Sequence, residues 1–206
     1  MRRCAHQRKI NRKMIKLITF LGNYGKQYSG NRHNTAWIFS ESISACANGS
    51  WQSKFKGQFL SESNPSNEKN PYTYYLKPET YMNLSGDAII EAAHFYKIKP
   101  EEILVVHDEL ELPVGTMSLK WSGGLGGHNG LRSTKANLGT ADFWRLRFGI
   151  GRPDHSDIAG YVLSDFSKSE REILDKIFPR GVELLEKLKT TEPDKLLEQY
   201  KKIVEK

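Results

Sequence analysis

An α/β fold, a three-layer α/β/α sandwich around a central mixed β-sheet in a single domain, follows from three features of the sequence. Short runs rich in β-branched and aromatic residues alternate with segments whose apolar residues recur at helical spacing. Polar residues collect at the ends of those strand-like runs, where open α/β sheets bind their ligands. With 206 residues, the chain is long enough to bury roughly 70% of its unfolded surface around one core.

Residues 15–21, IKLITFL, read as a buried strand, and Gly22 and Gly25 bracket a turn at its carboxyl end. The stretch LGNYGKQYSGNRHN then delivers His33 to a helix expected over 35–47, with Asn34 as its N-cap and Gly49 just past its end. Residues 51–60 look like a strand, 61–71 like a solvated loop, and 72–76 like the antiparallel partner, stopped by Pro78. TYMNLSG at 80–86 is a turn holding Asn83. It leads into a helix at 87–96, where Ala88, Ile89, Ala92, Ala93 and Tyr96 share a face. A strand at 103–106 ends in His107-Asp108-Glu109, and a further strand is expected at 116–121.

The glycine-rich segment 122–130, SGGLGGHNG, opens a helix at 131–138 with Asn129 as a candidate N-cap. Alternation predicts a strand at 144–151 and a short one around 161–163. Ser167 and Glu170 form a capping box for a helix to about Phe178, where Pro179 breaks or kinks it, and Pro193 starts a closing helix over 194–204.

The net charge of +7 invites a nucleic-acid partner, but its distribution matters more than its sum. Six of the 31 Lys and Arg lie in residues 1–13, which hold no acid, so the rest nearly balances the 24 acidic residues. Any nucleic-acid site on the body is then a local patch. Residues 1–13 read as a basic extension: an arm, a targeting tract or the product of an upstream start. Cys4 and Cys46 are too few for a disulfide framework. No apolar run approaches the roughly 18 residues of a membrane span. A cytoplasmic protein is expected.

His33 and Asp108 have the chemistry of a base and its supporting carboxylate if the fold joins them. Asn23, Asn83 and Asn129 supply neutral donors and acceptors at the same strand ends and helix entrances, although each taken alone reads first as a turn residue. There is no G-x-S-x-G elbow, and Cys46 lies in an apolar helix, so water is the expected nucleophile. The glycine loop is neither a Walker A nor a GxGxxG fingerprint. His33, His107, Asp108 and His128 are chemically able to ligate a metal, but no ligand spacing appears and none is expected. Lys120, Arg132, Arg145, Arg147 and Arg152 surround the glycine loop, as a phosphate-binding edge or an ordinary solvated face.

Five motifs in order, LGNYGKQYSGNRHN, KPETYMNLSG, ILVVHDELELPVG, GGLGGHNGLRS and RLRFGIGRP, resemble the bacterial-type peptidyl-tRNA hydrolase family over residues 15 to about 190. The resemblance implies hydrolysis of the ester joining a peptide to the 3′ ribose of tRNA, which recycles tRNA from prematurely released peptidyl-tRNA. It implies no cofactor and no metal, a monomer, and a hydrolase domain over 14–206. By motif, His33 resembles the family's catalytic base, Asp108 its partner, and Asn23 the loop residue that separates N-blocked esters from free aminoacyl-tRNA. Asn83 and Asn129 resemble the residues holding the peptide backbone and the water or carbonyl, and Tyr28 and Tyr81 those lining the site near the tRNA end. Lys120, Arg132 and Arg147 fall where the family places cations for the acceptor arm.

Two departures stand out. Tyr24 occupies the place of the usual proline in Gly-Asn-Pro-Gly, which loosens the turn that positions Asn23. Asp154-His155-Ser156 replaces a tract that often carries a phosphate-clamping lysine, with Arg152 or His155 as substitutes. The resemblance also admits a non-catalytic RNA-binding relative of splicing-factor type, and the bare residues admit a metal-dependent hydrolase.

Overall fold

The computed structural model describes residues 13–205 apart from 66, 69 and 155. The basic extension (save Lys13) and His155 therefore lie outside the described residues. The strands are β1 (Leu17–Phe20), β2 (Gln52–Lys54), β3 (Gly57–Ser63), β4 (Tyr72–Pro78), β5 (Ile103–Glu109), β6 (Thr116–Trp121), β7 (Trp144–Gly149) and β8 (Ile203–Val204). They form one mixed sheet in the order β2-β3-β4-β1-β5-β7-β6-β8. The run β4-β1-β5-β7 is parallel, and the flanking pairs are antiparallel.

Side chains alternate between the two faces with period two. Ile18, Phe20, Leu104, Val106, Leu146 and Phe148 pack with Ile38 and Phe39 of α1 (Thr35–Ser40) and with Leu174, Ile177 and Phe178 of α6 (Lys168–Leu188). Leu17, Leu76, Ile103 and Val105 meet Ala88, Ile89 and Ala92 of α3 (Ser85–Phe95) and Leu131 of α4 (Asn129–Leu138). Both faces are thus covered, and the expected three-layer sandwich holds. From β1 the chain first builds outward to β4, then crosses back to β5 on the other side of β1. That reversal opens a crevice at the carboxyl ends of β1 and β5.

Several local expectations fail for identifiable reasons. The helix expected over 35–47 divides into α1 and α2 (Ser44–Asn48), because Ser42 and Ile43 bond back to Phe39 and Ser40 in tight turns and the Ser40 hydroxyl takes the Trp37 carbonyl. The strand expected over 51–60 is the hairpin β2-β3. Phe55 and Lys56 form its two-residue turn at φ 54° and 52°, left-handed values that ordinarily advertise themselves through Asn-Gly. Around 161–163 there is no strand but a short helix, α5 (Ile158–Val162), capped by Asp157 at 2.8 Å from the Gly160 amide.

Pro179 does not end α6, which runs on to Leu188. An interior proline costs about 3 kcal/mol, whereas each large apolar side chain buried recovers about 1.5–3 kcal/mol, and Leu184, Leu185 and Leu188 are all buried beyond it. The closing helix over 194–204 shrinks to α7 (Pro193–Leu196). The chain then adds β8 to β6, with Glu205 donating to the Gly115 carbonyl at 2.8 Å.

Candidate active site

His33 sits in a 3₁₀ turn, Arg32–Asn34, between the β1 loop and α1, and is buried. Its Nδ1 lies 2.8 Å from Oδ1 of Asp108 at the end of β5. His128 places Nε2 3.0 Å from the same oxygen. The other nitrogen of His128 accepts the Gly130 and Leu131 amides at 3.1 and 3.4 Å, making His128, rather than Asn129, the N-cap of α4. A nitrogen that accepts amide protons carries none, so the ring proton of His128 is on Nε2, directed at Asp108. An ionised carboxylate only accepts, so His33 also donates from Nδ1. The lone pair of His33 is therefore on Nε2.

Burial opposes the charge of Asp108, but His33 and His128 outweigh it and hold its carboxyl well below the usual carboxylate range. Burial likewise works against an imidazolium at His33. There the Asp108 charge and hydrogen bond prevail and raise the pKa above its ordinary 6.5. His107, wholly enclosed, is pushed well below that value by burial and by His128. Its Nδ1 donates to the Asp108 carbonyl at 2.6 Å.

Asn23 is held at three points. Its Oδ1 accepts the Met82 amide at 2.9 Å, its backbone N–H donates to Asn34 Oδ1 at 2.8 Å, and its carbonyl accepts from Asn34 Nδ2 at 2.9 Å. Asn34, expected as a helix cap, makes no capping bond and instead grips the Asn23 backbone. These bonds supply the restraint that the missing proline does not. With its Oδ1 engaged by Met82, Asn23 lines the cleft. Gly22 is required beside it, because a Cβ there would lie 2.5 Å from the Trp37 indole.

A cleft of about 730 Å³ joins His33, Asp108, Asn23, Tyr28, Tyr81, Asn83 and Asn129. Leu110, Leu125, Ile158, Val162 and Leu163 form its apolar wall, and Arg132 and Arg152 also border it. Arg132 is exposed, 3.4 Å from Asn129 Oδ1, whereas Arg152 is ion-paired with Glu111. Arg147 and Lys120 do not line the cleft. Arg147 binds Glu109 at 3.3 Å and Ser118 at 2.9 Å, and Lys120 shares its sheet face beside Arg145. Arg145 is buried and donates to the Gly123 and Gly124 carbonyls at 2.8 and 2.6 Å, so it fixes the glycine loop rather than a phosphate.

The sequence profile described as Peptidyl-tRNA hydrolase matches residues 17–206. This chain belongs to the peptidyl-tRNA hydrolase family. A peptidyl-tRNA hydrolase of Desulfitobacterium hafniense is 46% identical over 169 residues, spanning 82% of this chain and 89% of that protein. One from Neisseria meningitidis serogroup A is 43% identical over 174 residues, spanning 83% and 88%. The crystal structure of the Acinetobacter baumannii peptidyl-tRNA hydrolase matches with a TM-score of 0.81 at 34% identity, covering 91% of this chain and 94% of that one.

Within this member of the peptidyl-tRNA hydrolase family, sequence reasoning missed two groups that build the site. His128 was visible only as a possible ligand, and the imidazole cap it forms is absent from the usual Ser, Thr, Asp and Asn signals. Asn34 matched those signals but serves a tertiary partner. No helix among the described residues is long and apolar enough to cross a membrane.

Proposed function

We infer that the cleft hydrolyses the ester between a peptide and the ribose of tRNA, with His33 as general base and water as nucleophile. The observation that carries this reading is the orientation of His33: Asp108 accepts a hydrogen bond from its Nδ1–H, which leaves Nε2 as the basic atom. Water gives a proton to Nε2 as its oxygen attacks the ester carbonyl. The Asn23 amide, on the lining of the cleft, would donate to the oxyanion that forms. On collapse, the carbon–oxygen bond to ribose breaks and the Nε2 proton goes to the departing ribose oxygen, leaving a free peptide acid and a tRNA hydroxyl. Asp108 remains a carboxylate throughout and steadies the imidazolium.

Asn83 and Asn129 lie at the amino-terminal ends of α3 and α4 with exposed amides, suited to the peptide backbone. Tyr28 and Tyr81 offer rings to the nucleotide end. Arg132 is the cation bordering the cleft without an acidic partner among its described contacts, and it suits a backbone phosphate. Lys120, Arg147 and Arg152 would continue the phosphate contacts beyond the cleft edge. The reading calls on no second chain and on no residue of the basic extension, and a monomer with a dispensable extension is proposed with it.

The ligand atoms of His33, Asp108 and His128 fall within 4.8 Å of one another. As bonded here, His128 presents a proton rather than a lone pair to Asp108, which supports reading the trio as a base and its hydrogen-bonded support. The test is single-turnover release from N-acetylaminoacyl-tRNA beside unblocked aminoacyl-tRNA, with and without a chelator. Cleavage of the blocked ester that withstands the chelator is expected. No cleavage, or cleavage abolished by the chelator, overturns the reading.

A further inference from the structure

Arg32, the residue before His33, directs both terminal nitrogens of its guanidinium to a different part of the chain. Its guanidinium is buried and grips the carboxylate of Glu170 through both oxygens, at 2.8 and 2.7 Å. It also donates to the hydroxyl of Ser164 at 2.8 Å and to the Asp165 carbonyl, and lies over the rings of Tyr161 and Phe166 at 4.5 and 5.1 Å. The backbone repeats the join: Arg32 N–H donates to the Ser164 carbonyl at 3.0 Å, and Asn31 bridges Asp165. The segment so held includes α5, which has no buried residue of its own yet supplies Ile158, Ala159 and Val162 to the cleft wall. A helix without a buried face takes its position from its attachments.

We propose that Arg32 is a positioning residue that sets the α5 wall of the cleft in register with His33, and so determines how the acyl side of the substrate is seated. This rests on the hydrolase reading of the cleft. The proton affinity of His33 is raised by Asp108 on β5, which is not among the groups that Arg32 bonds. Loosening the grip therefore affects substrate seating and leaves the acid limb of the pH–rate profile in place. Lysine keeps the charge but loses the planar fork that binds Glu170 and the carbonyl together.

The experiment measures kcat, KM and the pH profile on N-acetylaminoacyl-tRNA for wild type, R32K, E170Q, V162A and the R32K/V162A double variant. Misplacement of this kind costs between about 10-fold and about 100-fold in kcat/KM, and here it is expected chiefly in KM. The effect of V162A should shrink in the R32K background, because a wall already displaced has less to lose. E170Q, which retains an oxygen for the Ser167 cap, should shift KM in the same direction and serves if R32K does not fold. An unchanged KM in a folded variant, a shifted acid limb, or additive effects of R32K and V162A would overturn the proposal. Failure of the wild-type protein to cleave the ester would instead refute the hydrolase reading.

Discussion

Asp108→Asn isolates the charge at the centre of the relay. In the wild-type protein one carboxylate oxygen accepts from His33 at 2.8 Å and from His128 at 3.0 Å. With the asparagine oxygen in that position both donors keep an acceptor, but the imidazolium formed during attack loses its counter-ion. A pair of charges about 4 Å apart at an effective dielectric of about 20 is worth about 4 kcal/mol, or roughly 1,000-fold in rate. If the amide NH₂ faces the rings instead, His33 must move its proton to Nε2. The base then points the wrong way, a tautomer error that costs roughly 10,000-fold. The variant should thus lose between about 1,000-fold and about 10,000-fold at the plateau. The acid limb also moves. Asp108 raises the pKa of His33 and burial lowers it, so removing the charge leaves burial unopposed and shifts the limb to lower pH. Single-turnover cleavage across the range in which imidazole titrates measures both quantities. A limb that stays in place, with a plateau reduced by less than about 10-fold, would mean that Asp108 does not act on His33.

His33→Ala should slow cleavage by roughly 100-fold to 10,000-fold while a binding titration shows tRNA affinity retained; more than about a tenth of wild-type rate would remove His33 from its role. Asn34→Ala strips the Asn23 N–H and carbonyl of their partners, so urea unfolding should show a loss of about 1–3 kcal/mol together with a lower kcat/KM; unaltered stability and activity would mean that the paired amides do not hold the loop. Acid titration of stability offers an independent check. The contribution of Asp108, whose folded pKa is depressed, is present above 3.8 and is lost as pH falls through the folded value; that acid-side loss should diminish in Asp108→Asn. Across a salt series, Arg132→Ala should reduce the slope of log affinity by roughly 0.7 to 0.9 for one phosphate contact, whereas deletion of residues 1–13 should leave a parallel line.

His33 and Asp108 were legible because open α/β sheets bind ligands outside the carboxyl ends of their strands, and the resemblance then supplied their roles. The layers were legible too, since Ile18, Phe20, Leu104 and Val106 alternate with Leu17, Ile103 and Val105. What escaped was set by distant partners. Asn34 sits where a cap belongs, and only the folded chain brings Asn23 to it. Phe55 and Lys56 turn a hairpin without the glycine or asparagine that left-handed backbone favours, while Pro179 stays inside a helix because buried leucines beyond it outweigh the local cost. Tyr161-Val162-Leu163 has strand-like composition, yet the Asp157 cap starts a short helix that takes in Tyr161 and Val162 and leaves Leu163 as its C-cap.

The hydrogen bonds around Asp108 also decide where a proton can travel. His128 faces the Gly130 and Leu131 amides on its far side, and His107 spends its Nδ1 proton on the Asp108 carbonyl. Neither imidazole offers a route into the interior, and Asp108 is held too acidic to store what His33 picks up. The relay is a cul-de-sac. On the mechanism proposed, a proton collected at Nε2 must depart from Nε2, so the nitrogen that would activate water would also have to release the ribose oxygen before serving a second substrate.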